Sequence, residues 1–96
     1  MEIDTARQTV SRAGEVIRLS LKEYALCEYL ARKAGSIVSR AELGEHVWDD
    51  SFDPFSNSVE VYIHRLRKKV DGGRSIPLIH ARRMAGYMIS AESPEE

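Results

Sequence analysis

Apolar residues along this 96-residue chain recur at a spacing of two, then of three and four, then of two again, and each change predicts a different element. Residues 9–12 and 15–19 alternate apolar with polar and read as strands. Ala13-Gly14 between them is a two-residue hairpin link, which sets Val10 opposite Ile17 on one face. Residues 1–5 predict a further strand. At Ser20 the period lengthens. Ser20-Leu21-Lys22-Glu23 is a capping box, its hydroxyl meeting the early N–H groups and its carboxylate reaching back. The helix that follows carries Tyr24, Cys27, Leu30, Ala31 and Ala34 on one face and stops at Gly35.

Ile37-Val38 is a short extended link, and Ser39-Arg40-Ala41-Glu42 is a second capping box, opening a shorter helix with Leu43, Val47 and Trp48 apolar. Residues 49–56 form a loop, because Pro54 and the Asp/Ser cluster break a helix. Asn57 starts a third helix that runs to about Val70, where Asp71-Gly72-Gly73 ends it. Residues 77–83 and 86–90 read as a hairpin with Met84-Ala85 at its tip. The expected fold is therefore α+β, a winged helix-turn-helix: an N-terminal antiparallel sheet, a three-helix core and a C-terminal β-hairpin wing. One domain over residues 1–91 accounts for the pattern, and residues 92–96 are an acidic tail expected to be disordered.

The third helix separates its faces. Val59, Ile63, Leu66 and Val70 share a narrow sector that predicts core packing. Ser58, Val61, Tyr62, Arg65 and Lys69 occupy a second sector about 100° away. Two readings fit that second face: a solvated helix with cations near its C-terminus, where the dipole favours them, or a surface for a DNA groove. Cations and hydroxyls suit phosphates, a bidentate Arg suits guanine, and an aliphatic side chain suits a thymine methyl.

Charge changes the balance between them. Hydrophobic residues at 43% and charged residues at 30% are ordinary for a globular domain, and a net charge of −1 argues against nucleic acid on totals alone. Resolved along the chain, residues 57–83 hold seven cations against Glu60 and Asp71, a local charge of +5, while the remainder carries −6. Arg82 and Arg83 lie near the hairpin tip, so two separate elements offer cations to a phosphate backbone.

Other chemistry finds little support. Cys27 lies on an apolar helix face and reads as a small buried hydrophobe. His46, His64 and His80 are too scattered for a local metal motif, so no metal and no cofactor is expected. No nucleophile or acid/base pair converges, and an enzyme is the least favoured class. Tyr24 and Tyr29 read as packing residues, whereas Trp48 is open between packing and a DNA contact. The lack of a signal peptide or membrane span makes a cytoplasmic location the expectation. The abrupt start suggests a piece of a longer protein.

The stretches NSVEVYIHRLRKKV (57–70), PLIHARRMAGYMI (77–89) and LSLKEYALCEYLARKAGSIVSRAELGEHVW (19–48) resemble the effector domain of OmpR/PhoB-type response regulators. That family's recognition helix reads R/N-x-V-D/E-V-x-I-x-R-L-R-K-K-h, and its wing ends in G-Y. The resemblance implies a four-stranded N-terminal sheet, a preceding receiver domain, and sequence-specific binding of double-stranded DNA, with copies in tandem on repeated half-sites. It places DNA contacts at Trp48, Asn57, Ser58, Val61, Tyr62, His64, Arg65 and Arg67, and in the wing at Arg83 and Tyr87, to which the charge pattern adds Lys69 and Arg82. Val61 and Arg65 are the expected base readers. Arg67 is open between a flanking phosphate and an internal ion pair. The resemblance also makes Asp49, Asp50 and Asp53 a contact loop for RNA polymerase, against a plain solvated connector. A one-component or membrane-anchored regulator, or a winged helix that binds only protein, are the alternatives.

The wing departs from the family pattern. Where relatives read T-V/R-R-G-x-G-Y, Ala81 lacks the hydroxyl and Met84 replaces a glycine that permits an unusual turn. Either change is expected to weaken or reshape the wing contact, so restoring Thr and Gly together is expected to tighten binding.

Overall fold

A computed structural model describes residues 1–48, 52–73 and 76–90. Strands β1 (Glu2–Asp4), β2 (Thr9–Arg12) and β3 (Glu15–Ile17) form an antiparallel sheet in that order. Val10 pairs with Ile17, as the two-residue link requires, and Ala13 and Gly14 both take positive φ (54° and 80°), the turn whose twist matches the strands. The sheet has three strands rather than the four that the resemblance implied, because residues 5–8 are spent in a turn and residues 18–20 already lead into the first helix.

Helix α1 (Leu21–Arg32) begins with the predicted capping box complete: Ser20 Oγ accepts from the Glu23 N–H, and a Glu23 carboxylate oxygen accepts from the Ser20 N–H at 2.8 Å. Its buried face holds Tyr24, Cys27 and Leu30 but also Leu26 and Glu23, while Ala34 is exposed. Helix α2 (Arg40–His46) keeps only half of its expected box. Ser39 Oγ accepts from the Glu42 N–H, but the Glu42 carboxylate is taken by Tyr29 Oη at 2.5 Å and by Lys33 at 3.4 Å instead of reaching back. Helix α3 (Ser58–Asp71) runs one residue past the expected end. Asn57 does not cap it through its side chain, since its φ of −100° and ψ of 26° lie outside the extended region a capping side chain needs; Ser56 Oγ accepts the Ser58 N–H at 3.4 Å instead.

The predicted stripe Val59, Ile63, Leu66 and Val70 is buried against α1 and α2, with Val10, Leu26, Leu30, Leu43 and Trp48 in the same core. At about 25 cal/mol per Å² such side chains each stabilise the fold by roughly 1.5–3 kcal/mol. Strands β4 (Ile79–Arg82) and β5 (Gly86–Ile89) form the wing, with Ile79 opposite Ile89 and Arg82 opposite Gly86. Both strands are shorter than expected, and Arg83 lies in the turn. The Ile37-Val38 link adds to the wing, Val38 exchanging backbone hydrogen bonds with Tyr87 at 2.8 and 2.9 Å. That approach requires Gly86. Its φ is 142°, and a Cβ there would overlap the Val38 carbonyl oxygen. Asp49, Asp50 and the acidic tail fall outside the described residues.

Candidate nucleic-acid interface

The face of α3 beside its core stripe is positioned by a short relay of rings. Trp48, only 6% exposed, closes the end of α2 and meets the Tyr62 ring edge-on at 5.6 Å. The Arg65 guanidinium lies 5.3 Å from the centre of that Tyr62 ring, one turn along the helix. A cation over an aromatic face is worth roughly 0.5–1 kcal/mol at an exposed site, and the contact restricts a flexible side chain to one direction. Arg65 is thus exposed yet oriented. Lys22 reinforces the relay by donating to the Val47 carbonyl at 3.1 Å and lying 5.2 Å over the Trp48 ring.

The other expected contact residues separate into two groups. Asn57, His64, Arg65, Arg67 and Arg83 are exposed, while Ser58, Val61, Tyr62, Arg82 and Tyr87 are half-buried with accessible edges. Arg67 makes no ion pair among the described residues. Trp48 is buried, and Lys69, though exposed, is held in an ion pair. Lys69 Nζ lies 2.6 Å from a Glu23 carboxylate that is 3% exposed. Burial acts to raise the Glu23 pKa, but hydrogen bonds from Lys69 and from the Ser20 backbone, with the Lys69 charge, outweigh it and hold the carboxyl below its usual range. Within the loop before α3, Asp53 Oδ1 accepts the Phe55 N–H at 3.0 Å, and its own carbonyl accepts from Ser56.

Three residues organise the site that sequence reasoning did not mark. Arg40, at the start of α2, donates to Glu60 at 2.6 Å, to the Pro54 carbonyl at 2.9 Å and to the Ser56 carbonyl, clamping the loop to the first turn of α3. Phe52 folds the same loop back onto α2: a Cβ at Gly44 would overlap its ring, and Arg40 lies 5.5 Å above it. Asp71 joins the far end of α3 to the wing, its carboxylate accepting the Leu78 and Ile79 N–H groups at 2.9 and 3.1 Å. No local pattern announces these, because their partners lie beyond the three- and four-residue spacings that periodicity reads. A groove lined by Arg40, Glu60, Arg82, Arg83 and Tyr87 runs between the wing and the first turns of α2 and α3. Burial raises the Tyr87 phenol pKa, so that group faces the groove as a neutral hydroxyl. No cluster of His, Cys, Asp or Glu among the described residues could hold a metal, and burial pushes the Cys27 thiol up to about 12, that of an inert packing residue.

Residues 14–89 match the family described as transcriptional regulatory protein, C terminal. The chain belongs to that family. This effector domain is 39% identical over 93 residues to the transcriptional activator protein IrlR of Burkholderia pseudomallei, covering 97% of the chain and 41% of the relative. It is 39% identical over 89 residues to the transcriptional regulatory protein PcoR of Escherichia coli, covering 93% and 39%. The chain thus spans about two-fifths of the length of these curated relatives. Among solved structures, the Klebsiella pneumoniae RstA DNA-binding domain in complex with its RstA box superposes with a TM-score of 0.82 at 32% identity, covering 94% of this chain and 90% of that one. The DNA-binding domain of CpxR from E. coli superposes at 0.78 and 29% identity, covering 92% and 87%. These matches give the chain its winged-helix fold and its OmpR/PhoB-type membership.

Proposed function

We propose that this effector domain binds double-stranded DNA sequence-specifically, as the output module of a bacterial two-component response regulator. The observation that carries the reading is the Trp48–Tyr62–Arg65 relay, which spends two aromatic rings on aiming one exposed guanidinium away from the core. Arg65 and Val61 read base edges in the major groove, a bidentate Arg on guanine being the strongest single pairing available. Asn57, Ser58, Tyr62, His64 and Arg67 approach the flanking phosphates, and Arg82, Arg83 and Tyr87 bring the wing to the adjacent minor groove or backbone. Trp48 supports this face from inside, and Lys69 pairs with Glu23 at its edge. The domain acts by binding and not by catalysis.

Within the full-length regulator a receiver domain precedes it, copies bind in tandem on repeated half-sites, and the loop before α3 contacts RNA polymerase. Phe55 in that loop is 97% exposed and offers an apolar ring for docking on protein. No described helix is long and apolar enough to cross a membrane, and the DNA target places the domain in the cytoplasm.

Selection of bound sequences from a random duplex pool tests the reading. A defined half-site should emerge, and affinity for it should fall linearly on a log–log plot as salt rises. An enriched pool without a shared sequence, or binding indifferent to salt, would sink it.

A further inference from the structure

Met84 stands at the tip of the wing, 99% exposed, with its backbone at φ 64°. These observations are independent, and both run against the fold. A non-glycine residue in the left-handed region is strained, and a side chain in open solvent gains no burial to offset that strain. The turn is nonetheless closed, the Ala85 N–H donating to the Arg82 carbonyl at 3.0 Å. Single exposed hydrophobes such as Leu21 or Val16 are ordinary. Met84 differs from them in being held out on a tight turn, directly after Arg82 and Arg83, at the rim of the groove between the wing and α2.

A flexible apolar tip beside two cations suits a polyanion with an apolar interior. We propose that Met84 is an apolar wedge that enters the minor groove of duplex DNA beside the half-site read by α3 and makes the wing discriminate against guanine there. The proposal rests on the reading that the domain binds duplex DNA. Arginines flanking an inserted apolar side chain is a known way to hold a minor groove, the cations taking phosphates on either side. In that groove A·T pairs offer only acceptors, whereas G·C adds the guanine 2-amino donor. A thioether is a poor acceptor and would strip water from that amino group without replacing its hydrogen bonds. The fully exposed geometry thereby reverses what the family pattern suggested for this position. Glycine would relax the turn but leave nothing to enter the groove.

The test uses the whole chain and the duplex recovered by selection, with each base pair beside the half-site changed in turn to A·T, G·C or inosine·C. Inosine keeps guanine's major-groove edge and lacks the 2-amino group. At one wing-side position the unaltered chain should bind A·T and inosine·C about tenfold more tightly than G·C. Met84→Gly should lose that preference and bind the selected duplex about fivefold more weakly, at an unchanged salt slope. Met84→Leu should keep both. Equal or tighter binding by Met84→Gly, or a G·C penalty that survives it, overturns the wedge and leaves DNA binding standing. Absence of salt-dependent duplex binding by the unaltered chain overturns the functional reading, and the wedge with it.

Discussion

Arg12 in β2 donates from Nη1 to Asp71 Oδ1 at 2.9 Å, a contact that joins the N-terminal sheet to the last residue of α3. The same guanidinium donates to the Val70 carbonyl at 2.8 Å and to the Ile76 carbonyl, so one arginine satisfies backbone acceptors at and beyond the helix C-terminus. Both side chains are 11% exposed. Asp71 in turn holds the Leu78 and Ile79 N–H groups at the start of the wing. Sheet, helix end and wing base therefore meet at one carboxylate.

Asp71→Ala should accordingly lower stability by about 2–4 kcal/mol, because it takes the counter-charge from a part-buried guanidinium and the acceptor from two amide donors. Urea unfolding followed by circular dichroism measures this as a lower midpoint at unchanged slope. A change under about 0.5 kcal/mol would show that water replaces the carboxylate without cost.

Glu23 predicts a dependence on pH. Its folded pKa lies below the ordinary value of 4.5, so its contribution to stability is present above that value and is lost as pH falls through the folded pKa. Glu23→Gln should destabilise the domain by about 1–3 kcal/mol at neutral pH, since Lys69 and the Ser20 N–H both lose a charged acceptor. The gap between variant and unaltered chain should narrow below about pH 4. A gap constant from neutral pH down through the acid range would assign the loss to packing.

Two glycines separate backbone strain from collision. Gly86→Ala should cost about 2–4 kcal/mol, combining a disfavoured φ with overlap on the Val38 carbonyl. Gly14→Ala, at φ 80° with nothing within 4 Å, should cost only about 1 kcal/mol. Thermal melts of the two variants side by side decide this, and equal losses would remove the argument for a close approach at Gly86.

On the DNA side, Arg65→Ala should weaken binding to the selected half-site by about 1–3 kcal/mol and relax specificity at one base pair. Arg65→Lys should keep the charge, and with it the salt dependence, while losing the fork that fits guanine. Competition assays with single-base variants read both effects. Retained discrimination in Arg65→Lys would move base readout to another residue.

By itself the sequence determined whatever depends on neighbours a few positions apart. The capping box at Ser20 and Glu23, the Val10–Ile17 register and the Val59, Ile63, Leu66 and Val70 stripe are all such features, and the structure contains each of them. So is the charge division, +5 over residues 57–83 against −6 elsewhere, which made a basic region legible despite a net charge of −1. Tertiary structure alone decided where side chains with several possible partners went. Glu42 left its own helix cap for Tyr29 and Lys33, Asn57 yielded its capping role to Ser56, and Lys69 turned from the polar sector of α3 to a buried glutamate. Arg40, Phe52 and Asp71 became clamps for the same reason. A charged or polar group takes the partner that relieves the most desolvation, and burial is set by which distant segments the core brings together.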